Sequence, residues 1–188
     1  MAESENRQQL WLSRLRAGDH KAFAEFVDRY KDMVFLCCRT LGLKADQAED
    51  AASETFLAAY KGISRYRGQA DIGTWLWGIA YRQAVNYLRK NRREWELLAK
   101  PDQQVADSSE QGPTSAAQGR EIADSVWRAV ERLPRLWAAA IVLFYREDKQ
   151  VKEIAKIMRV RENTVKTYLL RGRNRLKELL AGFSKEGV

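Results

Sequence analysis

The sequence predicts an all-α protein: two small helical domains joined by a flexible linker. Three observations carry that prediction. Apolar residues recur at helical spacing through residues 7–98 and again through 120–182. No apolar–polar alternation runs long enough for a useful strand, and residues 99–119 between the two helical stretches are poor in large apolar groups. That middle segment, AKPDQQVADSSEQGPTSAAQG, is rich in Gln, Ser, Asp, Pro and Gly, a composition that cannot bury enough apolar surface to order itself. The expected domains are therefore residues 1–98, a linker over 99–119, and residues 120–188.

The elements follow in order. A first helix is expected over Arg7 to Ala17, stopped by Gly18. Asp19 is placed to cap the second helix, because its carboxylate can accept the exposed amide hydrogens of a first turn. That helix sets Phe23, Phe26, Val27, Tyr30, Val34 and Cys37 at helical spacing and stops near Gly42. The third helix lies in KADQAEDAASETFLAAYKGI, with Ala48, Ala51, Ala52, Thr55, Phe56 and Ala59 on one side and Asp46, Glu49, Asp50, Ser53 and Glu54 mostly on the other. SRYRGQADIG reads as a loop, and TWLWGIAYRQAVNYLRKNRREWELL as a long fourth helix that grows more basic along its length. The second domain begins with an amphipathic helix over Arg120 to Arg132. Pro134 suits the first turn of the next helix, where its missing N–H is not needed. That helix carries Leu136, Ala140, Leu143 and Phe144.

The stretch KQVKEIAKIMRVRENTVKTYLLRGRNRL has the pattern of a helix-turn-helix. Ala155 is the small residue where the two helices approach, Val151, Ile154 and Met158 face inward, and Arg159, Val160 and Arg161 make the turn. In the second helix Val165, Leu169, Gly172, Leu176 and Leu179 form the buried stripe, with Gly172 allowing close packing. The opposite face offers Glu162, Lys166, Thr167, Leu170, Arg171, Asn174 and Lys177, with Arg173 and Arg175 adding charge. Such a helix fits the major groove, where Arg and Lys read guanine edges and an apolar side chain meets a thymine methyl.

Charge supports a polyanionic partner. The net charge is +8 and the isoelectric point about 9.6. Residues 1–99 hold 16 Lys/Arg against 13 Asp/Glu, residues 100–119 hold 1 against 3, and residues 120–188 hold 16 against 9, so the excess is concentrated in the C-terminal third. In the fourth helix Trp75, Leu76 and Ile79 read as core, while Arg82, Arg89, Lys90, Arg92 and Arg93 are candidates for contact with single-stranded or melted DNA. The acidic face of the third helix is out of character in a basic protein and reads as a docking surface for a basic protein partner.

Other classes lose support on the residue inventory. There is no Ser/His/Asp set, no phosphate-cradling glycine loop and no metal-binding cluster, so neither an enzyme nor a cofactor is expected. His20 is the only histidine, and the adjacent Cys37 and Cys38 read as buried free thiols. The polar start MAESENRQQL does not resemble a signal peptide. No stretch approaches the roughly 18 apolar residues of a membrane span, so a cytoplasmic protein without membrane insertion is expected.

Taken together, these motifs resemble the extracytoplasmic-function sigma factors, the small two-domain class of bacterial sigma factors. DQAEDAASETFLAAY resembles the region-two pattern D-A-E-D-hydrophobic-x-Q-E-x-F, and YRGQADIGTWLWGIAYR its tryptophan-containing continuation. AVERLP, then KEIAKIM and TVKTYLLRGRNRL, resemble region four with its E-I-A and T-V-K-S-R motifs. The resemblance implies a promoter-specificity subunit whose partners are core RNA polymerase, promoter DNA and an anti-sigma factor. It implies that Asp50, Ser53 and Glu54 dock the polymerase clamp helices, with Ser53 standing where the family usually has Gln. The loop from Ser64 to Asp71 would hold a base flipped from the minus-ten element, with Tyr66 and Arg67 near it and Arg82, Asn86 and Arg89 along the following helix. Lys166, Thr167, Tyr168, Leu170, Arg171 and Arg173 fall where the family reads the minus-35 element, Tyr168 replacing a common Arg. The acidic linker resembles the segment that family members thread toward the polymerase active site. From the residues alone, a stand-alone helix-turn-helix regulator and a structural helical adaptor stay open as alternatives.

Overall fold

The computed structural model describes residues 2–68, 70–90 and 119–183. Among these residues lie eight α-helices and no β-strand, the all-α class expected. They divide into two compact units, one drawn from residues 1–39 and 43–87, the other from 40–42 and 88–188. The linker expected over 99–119 falls, apart from Gly119, outside the described residues, as do Arg92 and Arg93.

The first unit contains α1 (Ala2–Arg16), α2 (His20–Thr40), α3 (Ala45–Gly62), a 3₁₀ turn (Ile63–Arg65) and most of α4 (Ile72–Lys90). Helix α1 begins earlier than the expected Arg7. Its opening residues, Ala2 to Asn6, carry no apolar stripe, so periodicity does not detect them. Gly18 ends α1 with φ +78°, its N–H donating to Leu15 O at 3.1 Å while the N–H of Asp19 donates to Arg14 O at 3.1 Å. This is the paired bonding of a Schellman stop, which a left-handed glycine allows. Asp19 then starts α2 as expected: its Oδ1 accepts from the N–H of Lys21 at 2.9 Å and of Ala22 at 3.1 Å.

Phe26 is fully buried and joins three helices. Its ring meets Trp11 of α1 at 6.1 Å, Tyr30 of α2 at 5.1 Å and Phe56 of α3 at 6.1 Å between centroids. The small side of α3 buries Ala48, Ala51, Thr55 and Ala59, and the Thr55 hydroxyl is satisfied by donating to Ala51 O at 2.7 Å. Helix α4 starts at Ile72, so the expected loop is shorter at both ends. Ser64 and Arg65 belong to the 3₁₀ turn, and Asp71 caps α4 by accepting from the Thr74 N–H at 2.9 Å and from the Thr74 hydroxyl. Leu76, Trp77, Ile79 and Ala80 are buried and Trp75 is half-buried.

The second unit carries α5 (Gly119–Glu131), α6 (Arg135–Tyr145), α7 (Val151–Met158) and α8 (Glu162–Phe183). Pro134 lies just ahead of α6 rather than within its first turn. Its ψ of 133° is extended, while its carbonyl already accepts from the N–H groups of Trp137 and Ala138 at 2.8 and 3.0 Å. Helix α7 ends at Arg159, whose φ of 55° and ψ of 44° turn the chain left-handed and let the Val160 N–H reach Ala155 O at 3.1 Å. Helix α8 packs on α5, α6 and α7. Its seat on α6 is at Gly172, where an added Cβ would come within 2.9 Å of Ile141 Cγ1. No described helix is long and apolar enough to cross a membrane.

Candidate nucleic-acid interface

Three surfaces gather the residues singled out in the sequence. The first is the outer face of α8. Val165, Leu169 and Gly172 turn inward, and that register puts Lys166, Thr167, Leu170, Arg171, Arg173, Asn174 and Lys177 outside. Leu170 is 58% exposed, an apolar side chain held out among cations. The Thr167 hydroxyl donates to Asn163 O at 2.9 Å, which fixes its rotamer and leaves its oxygen able to accept. Arg173 Nε donates to Leu169 O at 3.1 Å, so that side chain bends back along its own helix. Arg171 instead reaches across the packing seam, its Cζ 5.9 Å from the Trp137 ring centroid. Tyr168 is half-buried, and burial pushes its phenol above the ordinary range, opposed by the charge of Arg171. Arg175 is held by Glu178 at 2.8 Å. The face therefore combines cationic donors, one hydroxyl and one exposed aliphatic group.

The second surface is the loop before α4 and the outer strip of that helix. Arg67 is exposed, whereas Tyr66 is only 8% exposed. The Tyr66 hydroxyl donates to Ala70 O at 2.5 Å and its ring packs on Trp75 at 5.3 Å. Burial pushes this phenol upward as well, with Asp71 adding to the shift. Gly68 holds φ at +72°, a turn conformation in which a side chain would be strained. Arg82, Asn86 and Arg89 are all exposed and follow one strip of α4 at helical spacing.

The third surface is the outer side of α3. Asp46, Glu49, Asp50, Ser53 and Glu54 are all exposed. Among the described residues neither Asp50 nor Glu54 is tied into an ion pair. Beside them, between α2 and α3, runs a groove of about 340 Å³ floored by Phe35, Ala52 and Phe56 and rimmed by Lys31, Glu49 and Ser53. The sequence sets Phe56 on the alanine-rich side of the third helix and gives Phe35 no role. Both fall at the edge of an apolar stripe, and the half-exposure that makes a groove floor has no periodic signature.

Cys37 and Cys38 are buried and in no disulfide, as expected, and burial pushes the Cys38 thiol up to about 12. Among the described residues no group of His, Cys, Asp or Glu is placed to hold a metal ion.

Comparison with known proteins gives matches over both halves. Residues 26–94 match the family described as Sigma-70 region 2, and residues 123–176 match Sigma-70, region 4. The chain is 32% identical to the ECF RNA polymerase sigma factor SigW of Bacillus subtilis over 179 residues, which covers 90% of this chain and 94% of that protein. It is 30% identical to the ECF RNA polymerase sigma-E factor of Escherichia coli over 173 residues, 88% of this chain and 90% of the relative. Among solved structures, the fold resembles the sigma factor RpoE of Bartonella quintana in complex with the anti-sigma factor NepR. The TM-score is 0.60 and the identity 20%, with 96% of this chain and 98% of that one covered. It also resembles CnrH in complex with the cytosolic domain of CnrY, with a TM-score of 0.58 and 18% identity over 92% of this chain and 96% of that one.

Proposed function

This chain belongs to the extracytoplasmic-function (ECF) RNA polymerase sigma factors, and from that premise we propose how its surfaces divide the work of binding core polymerase and directing promoter-specific initiation. The observation that carries the reading is the presence of both region 2 and region 4 in one chain, over 26–94 and 123–176. A stand-alone helix-turn-helix regulator would account only for the second. The working division is residues 1–98 as region 2, 99–119 as an acidic linker and 120–188 as region 4.

In this reading α8 lies in the major groove of the minus-35 element. Lys166 and Arg171 reach base edges or phosphates, Thr167 accepts at the groove floor, and Leu170 meets a thymine methyl. Tyr168 packs at the edge of that face, and Arg173 contacts the backbone once it swings off its own helix. The loop around Tyr66 meets the melted minus-ten strand. The buried Tyr66 shapes the loop, Arg67 contacts the strand, and Arg82, Asn86 and Arg89 continue the path along α4. Asp50, Ser53 and Glu54 dock core polymerase, supported by their exposure and by acidic charge that no described side chain neutralises.

Each reader is small, so linking them raises apparent affinity through effective concentration. An anti-sigma factor would cover these same surfaces, a partner suggested by the complexes in which the two structural relatives were solved. The protein works in the cytoplasm, where its template is, and contributes recognition rather than covalent chemistry. Run-off transcription with purified core polymerase tests the whole. A transcript that depends on both this chain and its cognate promoter is expected. Tight binding to duplex DNA without polymerase, and no transcript from any candidate promoter, would sink it.

A further inference from the structure

The Tyr66 loop carries positive charge, and a further arginine reaches it from ahead of the family match. The guanidinium of Arg16, in the last turn of α1, lies over the Tyr66 ring with Cζ 5.7 Å from its centroid. Helix α1 also packs on the 3₁₀ turn that opens the loop. Arg65 and Arg67, the chain neighbours of Tyr66, are both exposed, as is Arg16. Among the described residues no carboxylate forms an ion pair with any of the three. The acidic residues nearest in the chain are already engaged, Asp19 by Arg14 and Asp71 by Thr74 at the start of α4. The matched region 2 begins at residue 26, so α1 and Arg16 lie ahead of it.

Exposed like charges around one ring that no ion pair holds repel one another and are relieved by an anion. A guanidinium already held over an aromatic ring loses little further freedom when it binds, and its planar fork suits phosphate oxygens. The Tyr66 ring is largely closed to a stacking base by Arg16 and Trp75. The loop therefore presents charge to a strand rather than an aromatic platform. We propose that Arg16 joins Arg65 and Arg67 in a phosphate-binding site for single-stranded promoter DNA beside the Tyr66 loop, an assignment that rests on the reading of this loop as the minus-ten contact.

The test uses holoenzyme assembled with core polymerase and two promoter fragments, one with the minus-ten element held open by mismatches and one fully paired. Arg16→Gln, Arg16→Lys and Arg67→Gln are compared with the wild type by equilibrium binding across a salt series. On the open fragment Arg16→Gln should bind roughly three- to tenfold more weakly at low salt. It should also lower the slope of log affinity against log salt by about 0.7, the share of one single-strand phosphate. Arg16→Lys should retain most of both. Wild-type affinity and slope in Arg16→Gln, with Arg67→Gln impaired, would overturn the Arg16 site alone. Silence of both variants would remove the minus-ten reading of the loop as well. A loss in Arg16→Lys equal to that in Arg16→Gln, or a loss without a change in slope, would make Arg16 a support for Tyr66 and overturn the proposal. A defect confined to capture of an acidic protein partner would overturn it too.

Discussion

Gly172→Ala tests how α8 is held. A Cβ at that position would lie 2.9 Å from Ile141 Cγ1, 3.3 Å from Ile141 Cδ1 and 3.6 Å from Trp137 Cβ. Ordinary carbon contacts fall at about 3.5–4.0 Å, so the first two are overlaps and the third is not. Cδ1 can swing aside, but Cγ1 moves only with χ1, which is stiff for a β-branched residue in a helix. Ile141 is 4% exposed and has no open space to enter. Two effects then oppose each other. Alanine in place of glycine inside a helix favours the fold by about 1 kcal/mol. Overpacking a filled seam costs about 1–3 kcal/mol. The balance is a destabilisation of about 1 kcal/mol, enough to lower Tm by roughly 4–8 °C in a unit of this size. Hydrogen exchange read by peptide should quicken in α6 and α8 and leave α2 and α3 unchanged. Combining Gly172→Ala with Ile141→Ala should cost less than the two changes added separately, because the second removes the overlapping atoms. Promoter affinity at the minus-35 element should also fall, although residue 172 faces away from the reading surface. A higher Tm with slower exchange in α8, the result of helix propensity acting alone, would refute the packing argument.

Arg171→Ala should weaken binding at the cognate minus-35 site by about 1–3 kcal/mol and relax preference at one base position, read by competition with single-base variants. The same loss on every sequence would make Arg171 a phosphate contact. Asp50→Lys combined with Glu54→Lys should abolish capture of core polymerase while the melting temperature holds, and an unchanged affinity would remove the docking role. Asp19 gives the pH dependence. The hydrogen bond from Arg14, then the amide of Ala22, hold its carboxyl down to about 2 from the ordinary 3.8. Because the folded value is depressed, its contribution is complete above about pH 3.8 and fades as pH falls toward 2. Acid titration of Asp19→Asn should show a shallower loss of helix over that window than the wild type, and parallel curves would exclude the cap as its source.

What the sequence made legible was whatever a single helix encodes by itself. Phe26 and Val34 in α2, and Val165, Leu169 and Gly172 in α8, announce their buried faces by spacing, and the structure buries all five. Asp19 announces its cap because the donors it satisfies lie two and three residues ahead. The start of α1 was not legible, since a polar run without an apolar stripe leaves no periodic trace. Pro134 was misplaced by one position because proline is compatible both with a first turn and with the extended residue before it. The groove floored by Phe35 and Phe56 depends on how α2 and α3 meet, which neither helix encodes alone.

Tyr66 is the most consequential of these cases. In the sequence it is an aromatic residue between two arginines in a polar loop, near a flipped base as the family resemblance implies. In the fold, Ala70 takes its hydroxyl, Trp75 takes one flank and Arg16 lies over its ring. No local pattern could report the last contact, because Arg16 arrives from another helix. Once it is there, the aromatic group becomes the support and the arginines become the surface. If the loop takes the minus-ten strand as proposed, it would hold that strand chiefly by its phosphates, and discrimination among bases would fall to neighbours such as Asn86, whose amide can both donate and accept.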